Sequence, residues 1–306
     1  MTHLSEKCQF ETCPICSGSI GSWREKKTDI DTYNIDLCKT CGFAFVNPRP
    51  SLDFLMEFYS NFGHGHGEKA SEIHKLESIL SNEKNDPNST IDARRMIRTI
   101  KSLTGHMSNT SFLDVGCGYG FFSKEAMNAG FDVTAIELAE TEREIAHEMT
   151  GLTPVACSFE EFDCAPESLS VIFMSQILEH ALDINLWIKK AHELLANDGI
   201  IAIALPNFAS IFRMVMQENE PYVCPPAHLN FFNPSSLSRL LEKHGFKVEA
   251  IQWVSRIPKR AFEKRMPQIG KPMLPVINAL AYMSLKAIDT AHLGMMINVY
   301  GRKKSA

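Results

Sequence analysis

The sequence predicts an α/β fold: a mostly parallel sheet with helices on both faces, preceded by a small cysteine-rich unit. Three observations carry this. The apolar strand Ser111-Phe-Leu-Asp-Val115 runs directly into Gly116-Cys117-Gly118-Tyr119-Gly120 and then into a helical pattern. A second strand, Phe131 to Glu137, follows that helix, and its terminal acid lies 21 positions after Gly116. Such a strand-helix-strand unit is the building block of Rossmann-like sheets. Ahead of it, Cys13-Pro-Ile-Cys16 and Cys38-Lys-Thr-Cys41 form two matched pairs within the first 50 residues.

Taken in chain order, residues 1–50 come first. The sequence has nine cysteines, and four of them make the two C-x-x-C pairs. A segment of this size buries too little apolar surface to fold alone, and four thiolates suit a tetrahedral zinc ion. A full set of four protein ligands leaves no position open for chemistry, so Cys13, Cys16, Cys38 and Cys41 are read as a structural zinc ribbon. Unrelated reduced thiols, or a redox role for one pair, match the double spacing less well. Cys8, Cys117, Cys157, Cys164 and Cys224 have no such partner and read as buried or incidental thiols. Pro48 and Pro50 mark the boundary.

Residues 51–108 read as a helical linker or cap. Leu52, Leu55, Met56 and Tyr59 fall at helical spacing over 51–62, as do Ile73, Leu76, Ile79 and Leu80 over 68–81. Between them, Asn61-Phe-Gly-His-Gly-His-Gly67 is a loop that could fold over a ligand. His64 and His66 there read as solvated, because no acid or thiol pair stands nearby to complete a metal site. Residues 82–89 read as an exposed connection, followed by a helix from about Ile91 to Leu103.

From residue 109 onward the glycines let the backbone turn tightly and approach a ligand where a Cβ would collide. Glu137, at the neighbouring strand tip, is placed to accept hydrogen bonds from ribose hydroxyls. A ribonucleoside cofactor follows, with a merely structural turn as the weaker reading. The spacing then matters. Dinucleotide binders read G-x-G-x-x-G, whereas this turn reads G-x-G-x-G. The stretch resembles the first motif of the class I S-adenosylmethionine (SAM) dependent methyltransferases. The resemblance continues in Leu169 to Asp183, with its Leu178-Glu179-His180 signature, in the strand Ala196 to Pro206, and in Ala227-His-Leu-Asn-Phe-Phe-Asn-Pro234. This last loop is similar to one in the branch of ubiquinone-pathway O-methyltransferases and sugar methyltransferases. Phe43 to Pro50 likewise resembles an N-terminal zinc-ribbon subset of the group.

The resemblance implies a seven-stranded sheet whose final strand, Met295 to Tyr300, is antiparallel. It also implies SAM as cofactor, with Asp114, Gly116, Cys117, Gly118, Gly120, Glu137 and Leu138 around it, Gln176 following by position, and Ser158 and the Phe159 backbone beside the adenine. Ser158 stands where many relatives have an acid. Between strands, Asp183 reads as an N-cap for a helix bearing Ile184, Trp187, Ile188, Ala191, Leu194 and Leu195, closed by Asn197-Asp198-Gly199. Asn233-Pro234 starts another helix, stopped by Gly245, before the strand Phe246 to Val254.

SAM is already an activated electrophile, so the protein must chiefly align an acceptor and remove a proton. His228, beyond the fifth strand, has two readings of equal standing: a general base, or a side chain that pins its loop. His180 is the second catalytic candidate. Related enzymes read E-M-L-E-H there and associate the pattern with a divalent metal, but this chain has Gln176 in the first position. Glu179 and His180 are therefore expected to be structural or to contact substrate.

Composition fits a soluble enzyme, with 44% hydrophobic and 22% charged residues and a net charge of −5. Nothing global favours nucleic acid. No membrane span or signal-peptide core is evident, and a cytoplasmic location is expected. An insertion at about 255–292 opens with five bases against one acid over 255–265. That run reads as a solvated loop, with an anion site as the rival. Val276, Leu280, Met283 and Ala287 then form a stripe expected to pack as a lid, and peripheral membrane contact by 255–290 is the less favoured reading. The leading function is a methyltransferase acting on a small-molecule acceptor such as a sugar, nucleotide-sugar or phenol. The alternatives are a zinc-ribbon methyltransferase acting on protein or RNA, and an NAD-binding oxidoreductase.

Overall fold

Alternating burial builds the N-terminal unit. In the computed structural model, which describes residues 9–62, 76–85, 87–105, 110–256 and 274–305, β1 (Ile20–Lys27) and β2 (Thr32–Cys38) form an antiparallel hairpin. Tyr33, Ile35 and Cys38 point inward from β2, which pairs on its other side with β3 (Ala44–Val46). Three helices follow: α1 (Leu52–Phe62), α2 (Leu76–Asn85) and α3 (Asn88–Thr104). The expected exposed connection at 82–89 is largely helical instead. Here α2 runs on through its polar residues to Asn85 and α3 begins at Asn88, because Thr90 N finds a partner in Glu83 Oε1 at 2.6 Å. The His64 and His66 loop, most of the expected 68–81 helix and residues 257–265 of the basic run lie outside the described residues.

The main sheet grows from β4 (Ser111–Val115), α4 (Phe121–Asn128), β5 (Asp132–Ile136) and α5 (Glu140–Thr150). It continues through β6 (Leu169–Ser175), α6 (Ile184–Leu194), β7 (Leu195–Pro206) and α7 (Ile211–Met216). After the short β8 (Asn230–Phe231) come α8 (Pro234–Lys243), β9 (Phe246–Val254), α9 (Leu274–Thr290) and β10 (Met296–Lys303). The strand order is β5-β4-β6-β7-β10-β9. The first four run parallel, and β10 is antiparallel to both β7 and β9. In place of a full seventh strand, Val155 makes a single parallel bridge to Ile136 at the outer edge.

Helices cover both faces, as the apolar stripes require. On one face, Trp187, Ile188 and Ala191 of α6 and Leu237, Leu240 and Leu241 of α8 pack on β6, β7 and β10. On the other, Met96, Ile97 and Ile100 of α3 meet Phe112, Phe173 and Tyr300. Each fully buried side chain of this size contributes about 1.5–3 kcal/mol relative to exposure. Asp183 Oδ1 caps α6 by accepting from Asn185 N and Leu186 N, and Asn233 and Ser236 form a capping box on α8. Asn197-Asp198-Gly199 does not close α6 as a loop. Leu195 already pairs with Leu169 and the next pair is Val171 with Ile200, so these three residues, with Ala196, form a bulge within β7. The expected lid is only partly packed. Leu280 and Met283 of α9 are 59% and 66% exposed, while Asp289 near its end holds Ser255 N and Ser255 Oγ.

The N-terminal sheet does not stand apart. Its fourth strand is β8, contributed from the far side of the chain and paired with β3. Trp23 packs edge-on against Phe208 at 4.9 Å, and Asn185 and Lys243 both donate to Pro14 O.

Candidate functional site

Three groups of predicted residues lie in the described structure. At the carboxyl tip of β4 the chain turns through Gly116 and Gly118, both at positive φ. A Cβ on Gly116 would come within 2.8 Å of Ile177 Cδ1, whereas one on Gly118 would meet nothing within 4 Å. Gly116 is therefore closed against the fold and Gly118 faces open space. Glu137 spans that opening: its Oε2 accepts from Gly118 N and its Oε1 from Ala139 N, each at 3.0 Å. The carboxylate is only 8% exposed and ties the tip of β5 to the glycine turn. Each oxygen keeps a second lone pair for hydroxyl donors. Leu138, 52% exposed, adds apolar surface beside it. This cradle fits the nucleoside and amino-acid ends of SAM.

Asp114 lies beneath the turn, fully enclosed, and accepts from Ser123 Oγ at 2.6 Å. Burial pushes its pKa up to about 7, against the opposing hydrogen bond from Ser123. Across the interval from the ordinary 3.8 to about 7 the folded chain holds a proton that the unfolded chain has released, so stability declines as pH rises through it. Asp114→Asn keeps an oxygen acceptor for Ser123 and is expected to flatten that decline. Urea unfolding at roughly pH 5 and pH 7.5 would measure a differential on the order of a few kcal/mol; an unchanged slope would clear Asp114 of the effect.

The remaining cofactor candidates are less direct. Ser158 N and Ser158 Oγ both donate to Glu161 Oε2, and the buried Phe159 ring packs on Trp187 at 5.3 Å, leaving its backbone rather than its ring for a ligand. Gln176 is exposed just after β6, at φ 54°, with its N–H on Ala204 O.

The second group stands at the same carboxyl edge. The turn Leu178–His180 after β6 and the segment before β8 bring Glu179, His180 and His228 together, with one donor atom from each within 4.8 Å of the others. The two imidazole centroids are 4.9 Å apart. His180 Nδ1 lies 2.7 Å from Ala227 O and His228 Nδ1 lies 2.8 Å from Tyr222 O. A carbonyl only accepts, so in both rings Nδ1 carries a proton and donates it. Tyr59 Oη donates to Ala227 O and approaches His180 Nδ1 at 3.2 Å. Glu179 is 1% exposed, neither carboxyl oxygen has a hydrogen-bond partner, and burial raises its pKa to about 8. Helical spacing had marked Tyr59 only as part of an apolar stripe; nothing local announced its hydroxyl's role. A small cleft lined by Pro206, Arg213, Glu220, Tyr222 and Phe231 opens beside His228.

The third group is the cysteine cluster. Cys13 Sγ and Cys41 Sγ are 3.7 Å apart, Cys16 Sγ and Cys38 Sγ 3.5 Å, and all four sulfurs lie within 4.8 Å of one another. A tetrahedral zinc with ordinary Zn–S bonds sets its sulfurs about 3.8 Å apart, so the cluster is compatible with zinc. The Cys41 hydrogen bond holds the Cys13 thiol down to about 5. Thr40 N and Cys41 N point at Cys38 Sγ.

An open α/β sheet with this glycine turn, strand-tip acid and antiparallel closing strand is the fold of the class I SAM-dependent methyltransferases. Residues 80–251 match the family model described as a methyltransferase domain, and the chain belongs to that family. It is 25% identical over 160 residues to a mitochondrial ubiquinone biosynthesis O-methyltransferase of Bos taurus, covering 47% of this chain and 43% of that one. Over 100 residues it is 31% identical to a ubiquinone biosynthesis O-methyltransferase of Mesorhizobium japonicum, covering 31% and 40%. The aligned part thus spans less than half the length of either relative. Among solved structures, a SAM-dependent methyltransferase from Thermotoga maritima superimposes with a TM-score of 0.51 at 15% identity, covering 76% of this chain and 97% of that one. A Haemonchus contortus phosphoethanolamine N-methyltransferase gives 0.53 at 12% identity, covering 94% and 69%. These structural likenesses speak to the fold. Among the described residues, no helix is long and apolar enough to cross a membrane.

Proposed function

We propose that the chain transfers a methyl group from SAM to a hydroxyl of a small molecule, of the phenol-like or sugar class, with His228 as general base. The observation that carries this reading is Glu137 bonded to Gly118 N across an open turn, on the same sheet edge as the two histidines. SAM would be held by Glu137 at the ribose and by the Gly116–Gly120 turn, with Leu138 and the Ser158–Phe159 backbone near the adenine. Bound SAM would supply the methyl group and leave as S-adenosylhomocysteine; His228, oriented by Tyr222 O, would take up the proton of the acceptor hydroxyl at Nε2. Cys13, Cys16, Cys38 and Cys41 hold a structural zinc, which makes residues 1–50 a ribbon joined through 51–108 to the SAM-binding part.

Glu137→Ala is expected to weaken SAM binding by about tenfold or more with the fold retained. Unchanged affinity in calorimetry would remove Glu137 from the site. Native mass spectrometry would report bound S-adenosylhomocysteine and zinc together, and a labelled-methyl screen over phenols, sugars and nucleotide-sugars would identify the acceptor.

A second reading rests on the donor set of Glu179, His180 and His228. Two imidazole nitrogens and a carboxylate with no other partner fit a divalent transition ion, which when bound acidifies a nearby hydroxyl. A Mn²⁺ titration followed by electron paramagnetic resonance separates the readings: no binding leaves the base mechanism alone.

A further inference from the structure

We infer that Arg49 and Asn230 form a positioning pair through which the N-terminal sheet sets the backbone that carries both histidines, an inference that rests on the methyl-transfer reading above. Arg49 follows β3 in the Asn47-Pro48-Arg49-Pro50 junction and is 2% exposed. Its guanidinium lies over the Phe10 and Phe45 rings, and it sends one N–H to Leu229 O at 2.7 Å and another to Asn230 Oδ1 at 2.5 Å. Asn230, equally buried, turns its amide the other way. Its Nδ2 donates to Ala181 O at 2.7 Å and stands 3.3 Å from both Leu178 O and Glu179 O. The carbonyls of Leu178, Glu179 and Ala181 are thus gathered onto one amide carried by the strand after His228, and that amide is oriented by one arginine.

Packing alone does not call for this arrangement. Phe10 and Phe45 would accept an apolar neighbour, and burying a guanidinium carries a desolvation cost that an aliphatic side chain avoids. What the charged fork adds is geometry: two parallel donors match two acceptors on consecutive residues. The neighbouring bonds join the same segments. Val46 N donates to Leu229 O, Leu229 N to Glu179 O, and Asn233 Nδ2 to Gly42 O beside the cysteine cluster. His180 in turn grips Ala227 O, so the histidine-bearing segments are tied to each other and both to the N-terminal sheet. Arg49 and Asn230 touch no reacting atom in this scheme; they act through His180 and His228.

The test uses the full-length, zinc-loaded chain. Arg49→Met is expected to speed amide hydrogen exchange about tenfold or more in peptides covering 178–182 and 226–232. Zinc content, S-adenosylhomocysteine affinity and exchange in β4 to β7 should stay at wild-type levels. Arg49→Lys, which keeps the charge but cannot fork onto two acceptors, should restore protection only in part. Asn230→Ala should loosen 178–182 to the same degree, and the double variant should add nothing further. Wild-type exchange in both peptides of Arg49→Met would overturn the proposal, as would loosening spread through β1 and β2 with loss of zinc, since Arg49 would then be only part of the ribbon core. Failure of the wild-type chain to bind S-adenosylhomocysteine would sink the cofactor reading while leaving the exchange pattern readable.

Discussion

Cys38→Ser is expected to abolish zinc binding by the cysteine cluster and to unfold the N-terminal sheet. Cys38 is 1% exposed at the end of β2, and its sulfur faces the Thr40 and Cys41 amides, so a serine leaves three thiolates around a broken cage. Structural zinc contributes on the order of 10 kcal/mol to small metal-dependent folds, far more than the hairpin core supplies by itself. The damage should extend beyond the ribbon, because among the described residues β3 is the only strand paired with β8 and the Asn230–Phe231 pairings go with it. Metal analysis together with a thermal melt checks this. Full metal content with an unaltered melting curve would refute it.

His228→Ala is expected to slow methyl transfer by about 10²- to 10⁴-fold, the range for removing a positioned general base. SAM affinity should be nearly unchanged, because the imidazole is bonded to Tyr222 O rather than to the glycine turn. Single-turnover transfer of labelled methyl to the acceptor found by screening is the measurement. Undiminished turnover would place the base elsewhere and leave His228 as the side chain that pins its loop.

The glycine turn and its strand-tip acid were legible because they are close in sequence and each carries a local signature. A strand, a glycine turn and a helix are contiguous, and Glu137 sits one strand-helix-strand unit later. The cysteine pairs were legible for the same reason, as were the caps at Asp183 and Asn233. What escaped was set by long-range pairing. Nothing in Asn230–Phe231 says that these residues continue a sheet begun at residue 20, and Arg49 reads as a boundary residue until its partners 180 and 181 positions away are seen. The gathering of His228 beside Glu179 and His180 escaped for the same reason, because His228 comes from a separate stretch of the chain. The bulge at Asn197-Asp198-Gly199 was mistaken for a helix stop, since a turn within a strand and a turn after a helix use the same residues.

The position of β10 bears on how the polypeptide matures. It is inserted between β7 and β9 and hydrogen-bonds to both along nearly its full length. A nascent chain extended only through Val254 therefore carries two apolar strands with unsatisfied flanks and no direct pairing between them. Until Met296–Lys303 leaves the ribosome, those flanks are open templates for pairing with other molecules. Synthesis pauses between β9 and β10 should thus favour misassembly.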